Sequence, residues 1–210
     1  MSLQTRHQHL IKVRLSLLRP TQITVGYAEV TQKRAQWSGM DRTERKKFLG
    51  SHWFPAVRGP KDDFYIVDHH HLGLALLQEG EDEGYVVLVK DLDQLAKNEF
   101  WTVMDMHQWV HPYDANGRRQ PIAKLPRRLT GMADDPYRSL AGEVRREGGF
   151  PKDSTPFAEF LWADFFRHRI KPKVLRESPD QALQKALVLC HQPAASHLPG
   201  WSGIANTAPV

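Results

Sequence analysis

The sequence contains a single cysteine, Cys190. An intrachain disulfide is therefore impossible, which fits a reducing compartment and makes the cytoplasm the expected location. No apolar run approaches the roughly 20 residues that cross a bilayer. The opening residues MSLQTRHQHL are too polar for a secretory signal, so no membrane partner is expected. Internal repeats are lacking, as are helix-turn-helix and zinc-finger patterns and any paired acidic cluster suited to two-metal cleavage. What remains is ordinary globular material: 210 residues, 40% hydrophobic and 25% charged. That length supports one domain with a sizeable core, or a small domain with an addition.

Charge is unevenly spread. The formal net charge is +5, with a pI near 9.4. Arg118 to Arg176 alone holds 14 Lys and Arg against 7 Asp and Glu. A positive field of this kind favours an anionic partner, whether nucleotide, phosphorylated metabolite or nucleic acid, and does not choose among them.

The most informative stretch is FYIVDHHHLGLALL, Phe64 to Leu77. Phe64 to Val67 are β-branched or aromatic and suit a buried strand. Leu72 to Leu77 favour a helix that Gly80 can end. Asp68, His69, His70 and His71 fall at the seam between strand and helix. A helix start offers unpaired amides and the positive end of the helix dipole, so it suits a phosphate or another anion. Two other readings stay open at this point. Asp68 can be a plain N-cap with solvated histidines behind it, or the histidines can bind metal, although adjacent side chains point apart.

The remaining pattern is α+β. Leu10 to Leu15 alternates like a half-buried strand, and Glu29 to Trp37 reads as a helix. Asp41 with Glu44 forms a capping box, and Trp53–Arg58 pairs with Phe64–Val67 as a hairpin. Tyr85 to Lys90 is a strand too apolar for a solvated edge. Asp91 with Gln94 is expected to start a helix reaching Val110. His107 and His111 share its spacing, but Pro112 makes a dipole-facing helix end the simpler account. Residues 111–126 read as a loop. Asp135-Pro136 opens a helix, and the greasy segment FAEFLWADFFRHRI follows, where Glu159 and Asp164 are expected in ion pairs. A last helix should begin at Ser178 and bury Cys190, before a tail with little to bury. The expected organisation is a core at 10–90, a helical extension at 91–190 and an irregular tail at 191–210.

PAVRGPKDDFYIVDHHHLGLAL resembles the core of the ParB/sulfiredoxin superfamily, and LSLLRPTQITVG resembles its first box. WVHPYDANG, DDPYRSLAGEVRREGGF and FAEFLWADFFR are similar to the subgroup of ParB-like nucleases. The resemblance implies a small mixed sheet with a C-terminal helical half, and a nucleotide phosphate held at the polar turn. In the D-G-H-H-R motif of the superfamily's serine kinases, Asp68, His70 and His71 match, His69 stands for the glycine and Leu72 for the arginine. Sulfiredoxin chemistry is excluded, because the turn has no cysteine.

On this basis Asp68 and His70 are the expected catalytic residues. His69, His70, His71, Leu72 and Arg138 are expected to bind phosphate, with an arginine of the 118–128 loop as an alternative to Arg138. Thr21, Gln22, Glu29, Lys33 and Arg58 are expected to contact substrate, Glu29 standing in for a base that Gln22 cannot be. The implied ligands are ATP, ADP or CTP, with Mg²⁺ as the metal. Three functions follow as expectations: phosphoryl transfer or phosphodiester hydrolysis at the turn, a nuclease or nucleic-acid-binding module, and a non-catalytic nucleotide-binding protein.

Overall fold

In the computed structural model, which describes residues 9–203, the alternation of Ile11 and Val13 against Lys12 and Arg14 becomes strand β1 (Ile11–Arg14), half-buried as its period requires. The described chain divides into two compact units that share it in turns. One takes the residues up to 23, 30–112 and 121–132; the other takes 24–29, 113–120 and everything from 133.

The first unit is built on a five-stranded mixed sheet in the order β1-β6-β4-β5-β2. Its other strands are β2 (Arg19–Pro20), β4 (Phe54–Arg58), β5 (Phe64–Ile66) and β6 (Glu83–Asp91), while β3 (Thr24–Val25) belongs to the second unit. β4 and β5 form the expected antiparallel hairpin, with Ala56 opposite Ile66 and Arg58 opposite Phe64. β6 lies between β1 and β4, which accounts for its apolar composition. Helices α1 (Tyr27–Ser38), α2 (Arg42–Ser51), α3 (His70–Gln78) and α4 (Lys97–Met106) follow in chain order, α1 crossing from one unit into the other at Val30. The Asp41–Glu44 capping box is present, both of its hydrogen bonds made. α4 starts later than expected. Asp91 closes β6, and the cap is Ala96, whose amide donates to Glu99. Phe100 and Met104 of α4 bury against Val57 and Val110.

The second unit pairs β3 in parallel with β7 (Ala133–Asp134) and adds α5 (Pro136–Arg146), α6 (Ala158–Arg167), α7 (Pro172–Glu177) and α8 (Pro179–Cys190). Asp135 caps α5 by accepting from the amides of Tyr137 and Arg138, with Pro136 in the first turn as expected. α7 was not expected from sequence, and α6 opens at a left-handed Phe157. The core gathers around Trp162, which stacks on Phe150 at 4.3 Å and is fully buried. The tail departs from expectation. Ala195 and Leu198 are buried in this core, and the Trp162 indole donates to the Pro199 carbonyl. Cys190 is buried in α8, and burial pushes its thiol up to about 12, which leaves it inert at neutral pH. Among the described residues, no helix is long and apolar enough to cross a membrane.

Phe54 sits at the centre of the sheet. It is fully buried, its ring meets the open faces of Gly73 and Gly84, and its edge faces His69 with centroids 6.2 Å apart. Phe54→Ala should cost about 3–5 kcal/mol, as truncation of a buried aromatic does. Differential scanning fluorimetry is expected to show a melting point lower by roughly 6–20 °C.

Candidate functional site

The helix that follows β5 begins one residue later than the sequence suggests. Its cap is His69, held in the left-handed region at φ 64° and ψ 22°. Asp68 is exposed and its Oδ1 accepts from the His69 amide at 2.6 Å, so it steers the turn without capping α3. A left-handed backbone is a glycine conformation, and any other residue adopts it at a cost of roughly 1–2 kcal/mol. The resembling kinase motif has glycine at this position. His69 therefore keeps a strained backbone, and strain of this kind collects at functional sites.

The His69 imidazole is oriented. Its Nδ1 lies 2.9 Å from the Trp53 carbonyl, which can only accept, so Nδ1 carries a proton and the neutral ring has its lone pair on Nε2. The ring is half-buried and stands beside the exposed Asp68. Behind it, the amides of the first turn of α3 have no acceptor within the helix, as at any helix start.

His70 is arranged differently from expectation. It is 3% exposed, and its Nε2 accepts from the Thr21 amide at 3.1 Å, with the Thr21 hydroxyl 3.4 Å away. Burial, followed by the field of His71, pushes its imidazole down to about 3, the nearby Asp68 opposing only in part. It is thus neutral throughout the cellular range, and the expected proton exchange near pH 6.5 does not suit it. Thr21 is equally committed. Its hydroxyl donates to the Ile66 carbonyl at 2.8 Å, and its own carbonyl accepts from the His111 amide at 2.8 Å. Thr21 is a buried link rather than a substrate hydroxyl. Gln22 is buried next to it and bridges to His111.

His111 is the residue that sequence analysis missed. α4 ends at Met106 and not at Val110 as expected, so His111 lies outside it and not at a helix end; its segment lies beside Thr21 and Gln22, and His111 contributes to the field at His70. No local signal shows this, because the contact spans most of the unit. His107 caps α4 and stacks on Trp109 at 4.4 Å. His71 and Leu72 are buried in the first turns of α3.

Other expected residues are engaged elsewhere. The Arg138 guanidinium, expected on phosphate, is buried within the second unit, ion-paired to Glu159 and 3.4 Å from Glu29. Glu29 is accordingly an ion-pair partner and not a free base. Glu159 also holds Arg145 at 2.6 Å, and Asp164 holds Arg167 at 2.8 Å, the structural pairing expected of both acids. Arg58 ends β4 at the turn of the β4–β5 hairpin, opposite Phe64, where it binds Asp62 and, at 3.3 Å, Asp91. That is the far end of β5 from Asp68. Lys33 is half-buried on α1. Among the described residues, no three His, Cys, Asp or Glu side chains are grouped to hold a metal.

Residues 11–168 match the family described as "Putative ParB-like nuclease". The chain belongs to that family. A similar solved structure is that of protein Atu1540 from Agrobacterium tumefaciens, with 43% sequence identity and a TM-score of 0.86 over 93% of this chain and 99% of that one. No curated protein matches. At the turn, Asp68 is exposed and His69 half-buried, whereas His70 is buried.

The buried His70 makes stability depend on pH. Below pH 6.5 the unfolded chain binds a proton at this position that the folded protein refuses until about pH 3. The protonation-linked stability is therefore fully present above 6.5 and falls as pH drops through that window, by up to about 1.4 kcal/mol per pH unit. His70→Gln keeps an acceptor for the Thr21 amide and removes the titration. Urea midpoints compared at pH 7, 5.5 and 4.5 should show a shallower loss for the variant than for the natural protein.

Proposed function

We propose that the protein is a phosphate-binding ParB-like enzyme that hydrolyses a phosphodiester or nucleotide at the Asp68–His71 turn. The observation that carries this reading is the left-handed His69, whose Nδ1 donates to the Trp53 carbonyl, so that Nε2 is the lone-pair nitrogen of the neutral ring, on the residue next to the exposed Asp68. That is the arrangement of a general base oriented by a backbone acceptor. A phosphate oxygen accepts from the amides of His70, His71 and Leu72 and is stabilised by the dipole of α3. His69 Nε2 takes a proton from water, the water oxygen bonds to phosphorus, and the P–O bond to the leaving oxygen breaks. The leaving oxygen recovers a proton from the imidazolium. Asp68 keeps the turn in place through the His69 amide and stabilises the imidazolium that forms. Asp68 also has a free oxygen of the type Mg²⁺ prefers, and such a metal would be held chiefly by the substrate's phosphates.

Phosphoryl transfer to a small molecule is less well supported. It needs a carboxylate base by the first box, where Gln22 is buried and Glu29 is engaged by Arg138.

Hydrolysis of bis(p-nitrophenyl) phosphate, nucleoside triphosphates and a short oligonucleotide tests the proposal. His69→Gly keeps the left-handed turn at no backbone cost and removes the base, so turnover should fall by about a hundredfold or more while the melting point stays within a few degrees. Asp68→Asn is expected to lower turnover to a lesser degree and leave binding intact. Full activity in both variants, or no hydrolysis of any of these substrates by the natural protein, rules the proposal out.

A further inference from the structure

Within the first unit, β5, the first turn of α4, the turn at 60–63 and the segment 122–127 enclose a cavity of about 710 Å³ that opens on one side. Its lining includes none of Asp68 to Leu72, so it is separate from the turn. One wall is aromatic. Tyr65, Phe100 and Trp101 pack together with centroids 4.8, 5.3 and 5.0 Å apart. Phe100 is fully buried, whereas Tyr65 and Trp101 are half-buried, and all three line the cavity. Gly59 allows this packing, since a Cβ there would meet Tyr65 at 2.7 Å and Phe100 at 2.8 Å.

The rim is cationic. Arg19, Lys61, Lys97 and Arg127 line it against a single acid, Asp63. Arg19 lies 3.2 Å from Asp63 and donates through Nη1 to the Arg127 carbonyl at 3.0 Å, which fixes its guanidinium across the cavity. Its Nε is the atom that faces the Asp63 carboxylate, so the guanidinium is held at both Nε and Nη1.

Aromatic surface under a ring of cations is the chemistry that holds a base and its phosphates together. An acidic peptide would use the cations and leave the aromatic wall idle, and a duplex hides its base faces in the stack. We infer that this cavity binds a nucleotide unit, its base stacked on Tyr65 and Trp101 and its phosphates on Lys61, Lys97 and Arg127, supplied either by a single strand of nucleic acid or by a free nucleotide. Tyr65 precedes Asp68 by three residues, on the order of 10 Å along the chain at strand rise. A strand held here therefore lies within one or two nucleotides of the turn. The inference rests on the proposed hydrolysis only for what then happens to the strand, because binding requires no catalysis.

Fluorescence anisotropy with a labelled 12-nucleotide single strand, the matched duplex and unlabelled AMP and CMP as competitors provides the test. The single strand should bind more tightly than the duplex. Lys61→Glu/Lys97→Glu/Arg127→Glu alters only exposed side chains and should weaken binding by tenfold or more, with the slope of log K against log salt reduced by about 2. Trp101→Ala is expected to weaken it about tenfold through lost stacking. Competition by millimolar mononucleotide identifies a free nucleotide as a sufficient ligand, and its absence identifies the strand; either result supports the site. His69→Gly should bind the strand as the natural protein does while failing to hydrolyse it, so loss of the proposed reaction and loss of this site are read separately. The inference is overturned if neither strand nor nucleotide binds, if the triple charge variant binds unchanged, or if the duplex binds as tightly as the single strand.

Discussion

The first unit depends on the hydrogen bond from the Thr21 amide to His70 Nε2. Thr21 is fully buried, and its amide, hydroxyl and carbonyl are each committed, to His70, Ile66 and the amide of His111. Leaving one such group unpaired in the interior costs about 1–3 kcal/mol. Three distant segments are therefore fastened at one residue: the first box, the end of β5 with the start of α3, and the stretch after α4. Burial keeps His70 neutral, and this bond commits its Nε2 to the interior.

Local patterns in the sequence were reliable where the physics was local. The alternation of β1, the Asp41–Glu44 box and the Asp135-Pro136 helix start each involve residues within four positions of one another, and each is present. Asp91 shows where that logic ends. It had the chemistry of an N-cap, but it pairs with Arg58 across the sheet and extends β6 instead. The turn was located correctly by its composition and by its family resemblance. Its division of labour was not legible, because four adjacent polar residues look alike until the helix start is known to one residue. With His69 as cap, side chains one position apart have different fates, one half-buried and one buried. The partner of Glu29 was equally hidden, more than a hundred positions away in sequence.

Charge counting also needed the structure. The basic surplus between Arg118 and Arg176 suggested a broad positive field. Arg138, Arg145 and Arg167 are instead neutralised within their own unit by Glu29, Glu159, Asp135 and Asp164. These three arginines therefore support internal architecture, and the surplus rests on the other cations of the segment. The cations of the first unit's cavity come from four separate stretches of chain and formed no run that a sequence scan would mark.

The interleaving of the two units has a consequence for biosynthesis. Strand β3, at Thr24–Val25, pairs with Ala133–Asp134, so it leaves the ribosome roughly a hundred residues before this partner exists. At 5–20 residues per second, that is a wait of about 5–20 s. A long apolar strand left unpaired for so many seconds would invite association with other nascent chains. A strand of two residues offers too few backbone groups to template such an encounter, and its brevity protects the chain during synthesis.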